Sequence, residues 1–441
     1  MRARFLRAVL LVILVFVVGF IVYAWRSPIA PIEKPGPFDS SLVQRGAQLA
    51  AIGNCAECHT AREGRTFAGG YPLETPFGTI YGTNITPEPE TGIGKWSLAA
   101  FTRAMREGVS RDGSHLYPAF PYDHYTLLTD EDIGALYAYL MTRAPISAEP
   151  MDNEVPFPLN IRMTIAGWKA LYLTRAAFQP QASQSAQWNR GAYLADGLGH
   201  CGACHTPRNL LGAEKRDEHL AGAELRGWIA PALDASSRAP VPWTAETLHQ
   251  YLRYGIAENH PAAAGPMAPV VHSLRGASDE DVRAIGVYIA SVIGAPTPER
   301  AGAGEQAVAR ARKDAAALLP RDVPLRTRQN DALRQGAAIY AGTCATCHAS
   351  GRQTSASGDA LHLALATAVA LPKPTNLLRV TLKGLAPPDG TSGPIMPGYA
   401  GTLTDAQVAA LAQFLRAEFS DQPEWKNIER EVREVRGSLD Q

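Results

Sequence analysis

The six cysteines of this 441-residue chain fall into three identical frames: Cys55-Ala-Glu-Cys58-His59, Cys201-Gly-Ala-Cys204-His205 and Cys344-Ala-Thr-Cys347-His348. Two thiols three positions apart, followed at once by an imidazole, form the attachment signature of haem c. The thiols add to the two vinyl groups and the histidine binds the iron. A thioredoxin-like pair or a zinc site also uses this cysteine spacing, but neither needs the adjacent histidine. Here that histidine is present three times and no cysteine is left over, so the reading is three covalently bound haem c groups.

A six-coordinate iron needs a second ligand opposite the motif histidine, and a thioether in a dry pocket supplies one that raises the reduction potential. Met267 and Met396 fit that role. Each sits in a Pro-bearing loop, Gly265-Pro266-Met267-Ala268-Pro269 and Gly393-Pro394-Ile395-Met396-Pro397-Gly398, where a methionine is a poor helix-core residue. Counting twelve residues on from Gly255 and Gly384 reaches both, and the same count from Gly108 reaches Phe120, whose ring cannot coordinate iron. His124, four residues further along that loop, is the expected sixth ligand of the first iron, with His115, Met105 and Met141 as further candidates. His200, His219, His249, His260, His272 and His362 show no ligand spacing to each other and read as structural or surface groups; His260 and His272, near Met267 in sequence, are alternative ligands of the second iron.

These residues need a scaffold that repeats. The motifs recur at intervals of 146 and 143 residues. Short helical patterns around Gly46, Gly191 and Gly336 precede them, each glycine able to admit a crossing helix. The expected partners are helices with acidic first turns beginning at Asp130, Asp279 and Asp405, with Tyr137, Tyr288 and Phe414 on their apolar faces. The expected fold is all-α: three tandem class I cytochrome c domains after one N-terminal transmembrane helix. The boundaries read as an anchor over 5–25, domains over 38–147, 184–297 and 329–420, an apolar linker over 148–183, a second linker over 298–328 and a tail over 421–441. The first linker carries Val155, Phe157, Leu159, Ile161, Ile165, Trp168, Leu171 and Tyr172, and reads either as a docking surface or as a buried strap.

Lysine plus arginine and aspartate plus glutamate are both 42, so there is no global basic field of the kind that holds nucleic acid. Residues 8–25 contain no charge or proline and, at about 1.5 Å per residue, span about 27 Å, close to a bilayer's hydrocarbon core. Arg2, Arg4 and Arg7 precede this run, so the positive-inside rule keeps the N-terminus cytoplasmic and sends everything after Trp25 outward. A cleaved signal peptide is the competing reading; Tyr23, Trp25 and Arg26 at the end of the run, with Pro28 and Pro31 beyond, argue for a retained anchor.

With these motifs, nearly the whole chain resembles the tri-haem cytochrome c subunits of bacterial membrane-bound dehydrogenases. Phe120, within Pro118-Ala119-Phe120-Pro121-Tyr122-Asp123-His124, the linker Val155-Pro156-Phe157-Pro158-Leu159-Asn160 and the tail beginning Pro423-Glu424-Trp425 resemble the branch that accompanies molybdenum hydroxylases acting on aldehydes, nicotinate or isoquinoline. The other branch serves quinoprotein alcohol and flavin-dependent sugar dehydrogenases and usually carries methionine where Phe120 stands. The resemblance implies an electron carrier between a dehydrogenase catalytic subunit and ubiquinone or a terminal oxidase, with no substrate chemistry of its own. A haem enzyme or redox sensor with an open first iron is the reading from another class. No phosphate-binding loop, dinucleotide fingerprint or nucleophile elbow occurs in the context those motifs need.

Overall fold

The computed structural model describes residues 2–314, 330–348, 362–385 and 396–439. The residues 315–329 of the second linker, and Gly393, Pro394 and Ile395 before Met396, lie outside them. The chain divides into two compact units, Met1–Gln181 with Asp196–His200, and Ala182–Ala195 with Cys201–Gln441.

The first unit begins with α1 (Arg2–Ala24), apolar and exposed along its length except at Ala24. The extended segment after it is stitched to the domain: Ile29 N–H donates to Arg111 O (2.8 Å) and Ile32 N–H to Lys95 O (3.1 Å). Next come α2 (Ser40–Ile52), capped by Asp39, and an antiparallel hairpin of β1 (Pro72–Thr75) and β2 (Gly78–Tyr81) with Leu73 opposite Ile80. Then α3 (Leu98–Glu107) runs from the Ser97 cap to Gly108, followed by the single turn α4 (Tyr122–Tyr125) and by α5 (Asp130–Met141), capped by Thr129. The apolar linker closes the unit. Glu154 pairs with Thr79 on β2, the Tyr117 hydroxyl donates to Leu159 O (3.0 Å), and α6 (Ile165–Tyr172) buries Ile165, Ala166 and Lys169. Phe157, Ile161 and Leu171 remain exposed, so the linker is a strap on one side and an apolar surface on the other.

The second unit starts with α7 (Ala186–Ala192) and a hairpin of β3 (Ala223–Leu225) and β4 (Trp228–Ala230). It continues with α8 (Ala245–Tyr254), α9 (Met267–Leu274) and α10 (Asp279–Ile293). After these come α11 (Pro298–Asp314), α12 (Asp331–Ile339), α13 (Thr375–Lys383), α14 (Asp405–Phe419) and α15 (Ile428–Gly437). The Asn376 side chain bonds both Ile229 N and Ile229 O at 2.8 Å, tying α13 to the β3–β4 hairpin.

The three expected crossings are present: α2 on α5, α7 on α10 and α12 on α14. A Cβ added at Gly46 would lie 2.0 Å from Ala135 O, one at Gly191 2.0 Å from Ala284 O, and one at Gly336 2.2 Å from Ala410 O, so only glycine permits the backbones to approach this closely. Arg45 pairs with the buried Asp132 at 2.6 Å and Arg190 with Asp281 at 2.7 Å; the third repeat has Gln335 and Gln407 at these places, and Gln407 serves instead in the capping box of Thr404.

The structure corrects one expectation, the all-α fold, and adds detail to three others. Tyr137 is buried on the apolar face of its helix, against Phe38 and Phe101, and donates to Trp96 O (2.7 Å), while Tyr139 stands over Gly46 as Tyr288 and Phe414 stand over the other two glycines. The largely helical fold includes two short hairpins. Part of the second linker is the helix α11, whose Ala307 and Ala311 are buried with Leu365. In the tail over 421–441, Trp425, Ile428, Val432 and Val435 belong to the apolar core around Leu378 and Phe414.

Candidate haem sites

Each motif lies within or beside one helical turn, Cys55–Cys58, Gly202–His205 and Ala345–His348, which brings two thiols and an imidazole together over five residues. The cysteines form no disulfide. Burial pushes the Cys55 thiol up to about 12 and Cys344 up to about 11, and raises Cys204.

The hairpins position the motif histidines. The chain leaving β2 presents Thr83 O 2.7 Å from His59 Nδ1, and the chain leaving β4 presents Pro231 O 2.7 Å from His205 Nδ1. Each carbonyl accepts the Nδ1 proton, which fixes the tautomer and makes Nε2 the nitrogen able to bind a metal. Burial holds both imidazoles below their ordinary range, toward the neutral form that ligates. Gly69 N–H donates to His59 O (2.8 Å) and Gly222 N–H to His205 O (2.7 Å), wrapping both motifs in the same way. Sequence reasoning missed this arrangement, because a backbone carbonyl leaves no mark in residue identity.

The loops opposite keep a common register. Gly108, Gly255 and Gly384 all end a helix at positive φ (60°, 81° and 78°). Leu116 N–H donates to Gly108 O and Ala263 N–H to Gly255 O, both at 2.7 Å and both eight residues on. Phe120 is therefore the counterpart of Met267, which opens α9. Met396 pairs through its backbone with Leu385 beside Gly384 (2.8 and 3.0 Å).

Among the candidates for the first iron, His115 is committed elsewhere: its Nε2 lies 2.8 Å from Ala24 O and its Nδ1 3.0 Å from Lys169 Nζ. Met105 and Met141 are buried on helices. His124, buried on α4, has its Nδ1 2.7 Å from Asp196 O, the arrangement seen at His59 and His205. The neighbouring Tyr125 packs its ring 5.3 Å from Phe120, and its hydroxyl is held well above its usual range by burial and then by the Cys55 and Cys58 thiols. Tyr399, in the Met396 loop, is raised by burial and by Cys344 and Cys347 in the same manner.

The histidines read as structural or surface groups divide. His249 pairs with Asp279 at 2.8 Å and His362 caps Ala364 N–H at 3.2 Å. His260 is the residue underrated from sequence: 1% exposed, stacked on Trp243 at 3.5 Å, with neither ring nitrogen hydrogen-bonded, and pushed by burial down to about 4. A buried neutral imidazole with two open nitrogens, like the unpartnered hydroxyl of fully buried Tyr122, fits a pocket built for a polar-edged group such as haem. His348 ends the third motif turn.

The family model described as Cytochrome c matches residues 43–144, and that described as Cytochrome C oxidase, cbb3-type, subunit III matches residues 331–415. The gluconate 2-dehydrogenase cytochrome c subunit of Pantoea cypripedii is 37% identical over 404 residues, covering 87% of this chain and 87% of that protein. The chain belongs to the cytochrome c subunits of dehydrogenases. Another member, the alcohol dehydrogenase (quinone) cytochrome c subunit of Gluconacetobacter polyoxogenes, is 34% identical over 87% of this chain and 81% of its own length. A nicotinate dehydrogenase subunit of Pseudomonas putida is 45% identical over 94% of this chain, which spans 34% of that longer protein. Membership of this family makes electron transfer through haem c the work of this chain.

Proposed function

We propose that this chain is a membrane-anchored, periplasm-facing cytochrome with three haem c groups, passing electrons from a partner dehydrogenase of the molybdenum-hydroxylase type to ubiquinone or a terminal oxidase. The observation that carries it is the pairing of three Cys-x-x-Cys-His turns with three glycine-mediated helix crossings. Haem c, when bound, supplies a one-electron ferric/ferrous couple. The chain does the rest. The pairs Cys55 and Cys58, Cys201 and Cys204, and Cys344 and Cys347 hold the groups covalently. His59, His205 and His348 would each supply a ligand to an iron, with Thr83 O and Pro231 O orienting the first two. Met267 and Met396 would ligate two of the irons and His124 the first, its Nδ1 bond to Asp196 O supporting that role.

Retention of the anchor is supported by how its end is bound. Ala24 is buried, its carbonyl accepts from His115, and Arg103 Nη1 donates to Ser27 O at 2.7 Å. A segment removed after export has no use for such contacts.

The molybdenum assignment rests on Phe120 with His124 and on the likeness to the Pseudomonas putida nicotinate dehydrogenase subunit. The near full-length match to gluconate and alcohol dehydrogenase cytochrome subunits favours a second reading, service to a flavin or quinoprotein enzyme. Purification of the chain from its native membranes, with metal and cofactor analysis of what accompanies it, separates them. Molybdenum in stoichiometric amount is expected; flavin or pyrroloquinoline quinone without molybdenum overturns that part. No associated dehydrogenase, with electrons accepted directly from a small substrate, contradicts the carrier role.

A further inference from the structure

The apolar linker ends in α6, and this helix touches the anchor. A Cβ placed on Gly167 would meet the Phe20 ring at 3.7 Å. Phe20 lies five residues before Trp25, about 7.5 Å inside the outer end of the apolar run. Because that run is about 27 Å long against a hydrocarbon core of about 30 Å, it has little freedom to slide outward. Whatever packs against Phe20 therefore reaches about 7.5 Å inside the outer boundary of the hydrocarbon core, the depth to which the apolar face of an in-plane helix sinks.

Leu171 is four residues beyond Gly167 and so shares its helix face, and it is 69% exposed. Ile161, just before the turn that leads into α6, is 47% exposed, and Phe157 is 77% exposed. The opposite face, Ile165, Ala166 and Lys169, is buried, and Lys169 Nζ donates to Gly108 O (2.6 Å) and to His115 Nδ1 (3.0 Å). His115 in turn holds Ala24 O. Helix, anchor end and cytochrome domain are thus one connected piece.

We propose that Phe157, Ile161 and Leu171 form a second, non-spanning contact with the same bilayer, so that the first domain is seated on the membrane surface at fixed depth and does not swing on a tether. The inference rests on the anchor reading of α1. Apolar side chains at interfacial depth, beside the aromatic Trp168 and Tyr172, have the composition of an in-plane membrane element.

The test uses the full haem-loaded chain in phospholipid vesicles. The native cysteines are taken up in thioethers, so a nitroxide can be attached to a single new thiol: Leu171→Cys, Val15→Cys within α1, or Glu63→Cys as an aqueous reference. All three positions are exposed, so the label needs no repacking. The ratio of accessibility to oxygen over that to a water-soluble nickel chelate is then measured. At Leu171 it should exceed the Glu63 value several-fold and stay below that at Val15. A Leu171 value equal to that of Glu63, with Val15 in lipid, overturns the inference and leaves the anchor standing. A Leu171 label that becomes shielded only when the partner dehydrogenase is added also overturns it, by showing a protein partner there. An aqueous Val15 overturns the anchor and the inference together.

Discussion

Phe120 marks where the three sites diverge, and the glycine caps make the comparison safe. With Gly108, Gly255 and Gly384 at positive φ, twelve residues lead to Phe120, Met267 and Met396. Thioether ligation favours ferrous iron, whereas attachment depends on the cysteines, so Met267→Ala and Met396→Ala should each lower one haem potential and retain all covalent haem. Redox titration checks this; unchanged titrations in both variants would reduce these methionines to packing. A neutral imidazole favours ferric iron by comparison, so the first haem should have the lowest potential and a bis-imidazole electron paramagnetic resonance signal that disappears in His124→Ala. Persistence of that signal would exclude His124. Lys169 gives a prediction of a different kind. Burial, with Arg175 and Arg26 nearby, brings its amine down to about 7, below the 10.5 of an unfolded lysine. Between these values the unfolded chain binds the extra proton, so this site's contribution to stability rises with pH. Lys169→Met should unfold at lower temperature than wild type, by a gap that widens from pH 7 to pH 9.5; a gap that stays constant would place the titration elsewhere.

At the scale of elements, the crossings were legible because a glycine under a helix backbone is a positional requirement that sequence displays. The salt bridges at two of the three were less so, since Arg45 and Asp132 are 87 residues apart. Arg45→Gln gives the first crossing the side chain that the third uses, but leaves Asp132, 1% exposed, without its cation. The expected loss is about 1–3 kcal/mol of stability in the first unit, read from thermal unfolding. An unaltered midpoint would mean that helix packing alone holds the crossing. Tyr137 and Tyr139 show what periodicity leaves open: both are aromatic and on the same helix, and only the contact with Gly46 tells which faces the crossing. The hairpin carbonyls at Thr83 and Pro231 were invisible, their distances from the motif histidines differing (24 and 26 residues) and their side chains taking no part. The packing of the last helix was visible in Ile428, Val432 and Val435 at i, i+4 and i+7, but the charges between them disguised it.

For the whole molecule, the anchor, the strap and the first haem site form one unit, while the second and third motifs share the other. Such an arrangement suits a carrier whose entry or exit point is held near the bilayer and whose haems are fixed by covalent attachment. The electron path depends on the number of those haems, because a path through three sites fails if one motif stays empty. Intact-mass spectrometry of the mature chain, produced with a complete haem-maturation system, counts them directly. Three covalent haem additions per chain are predicted. Two or fewer under those conditions would contradict the account.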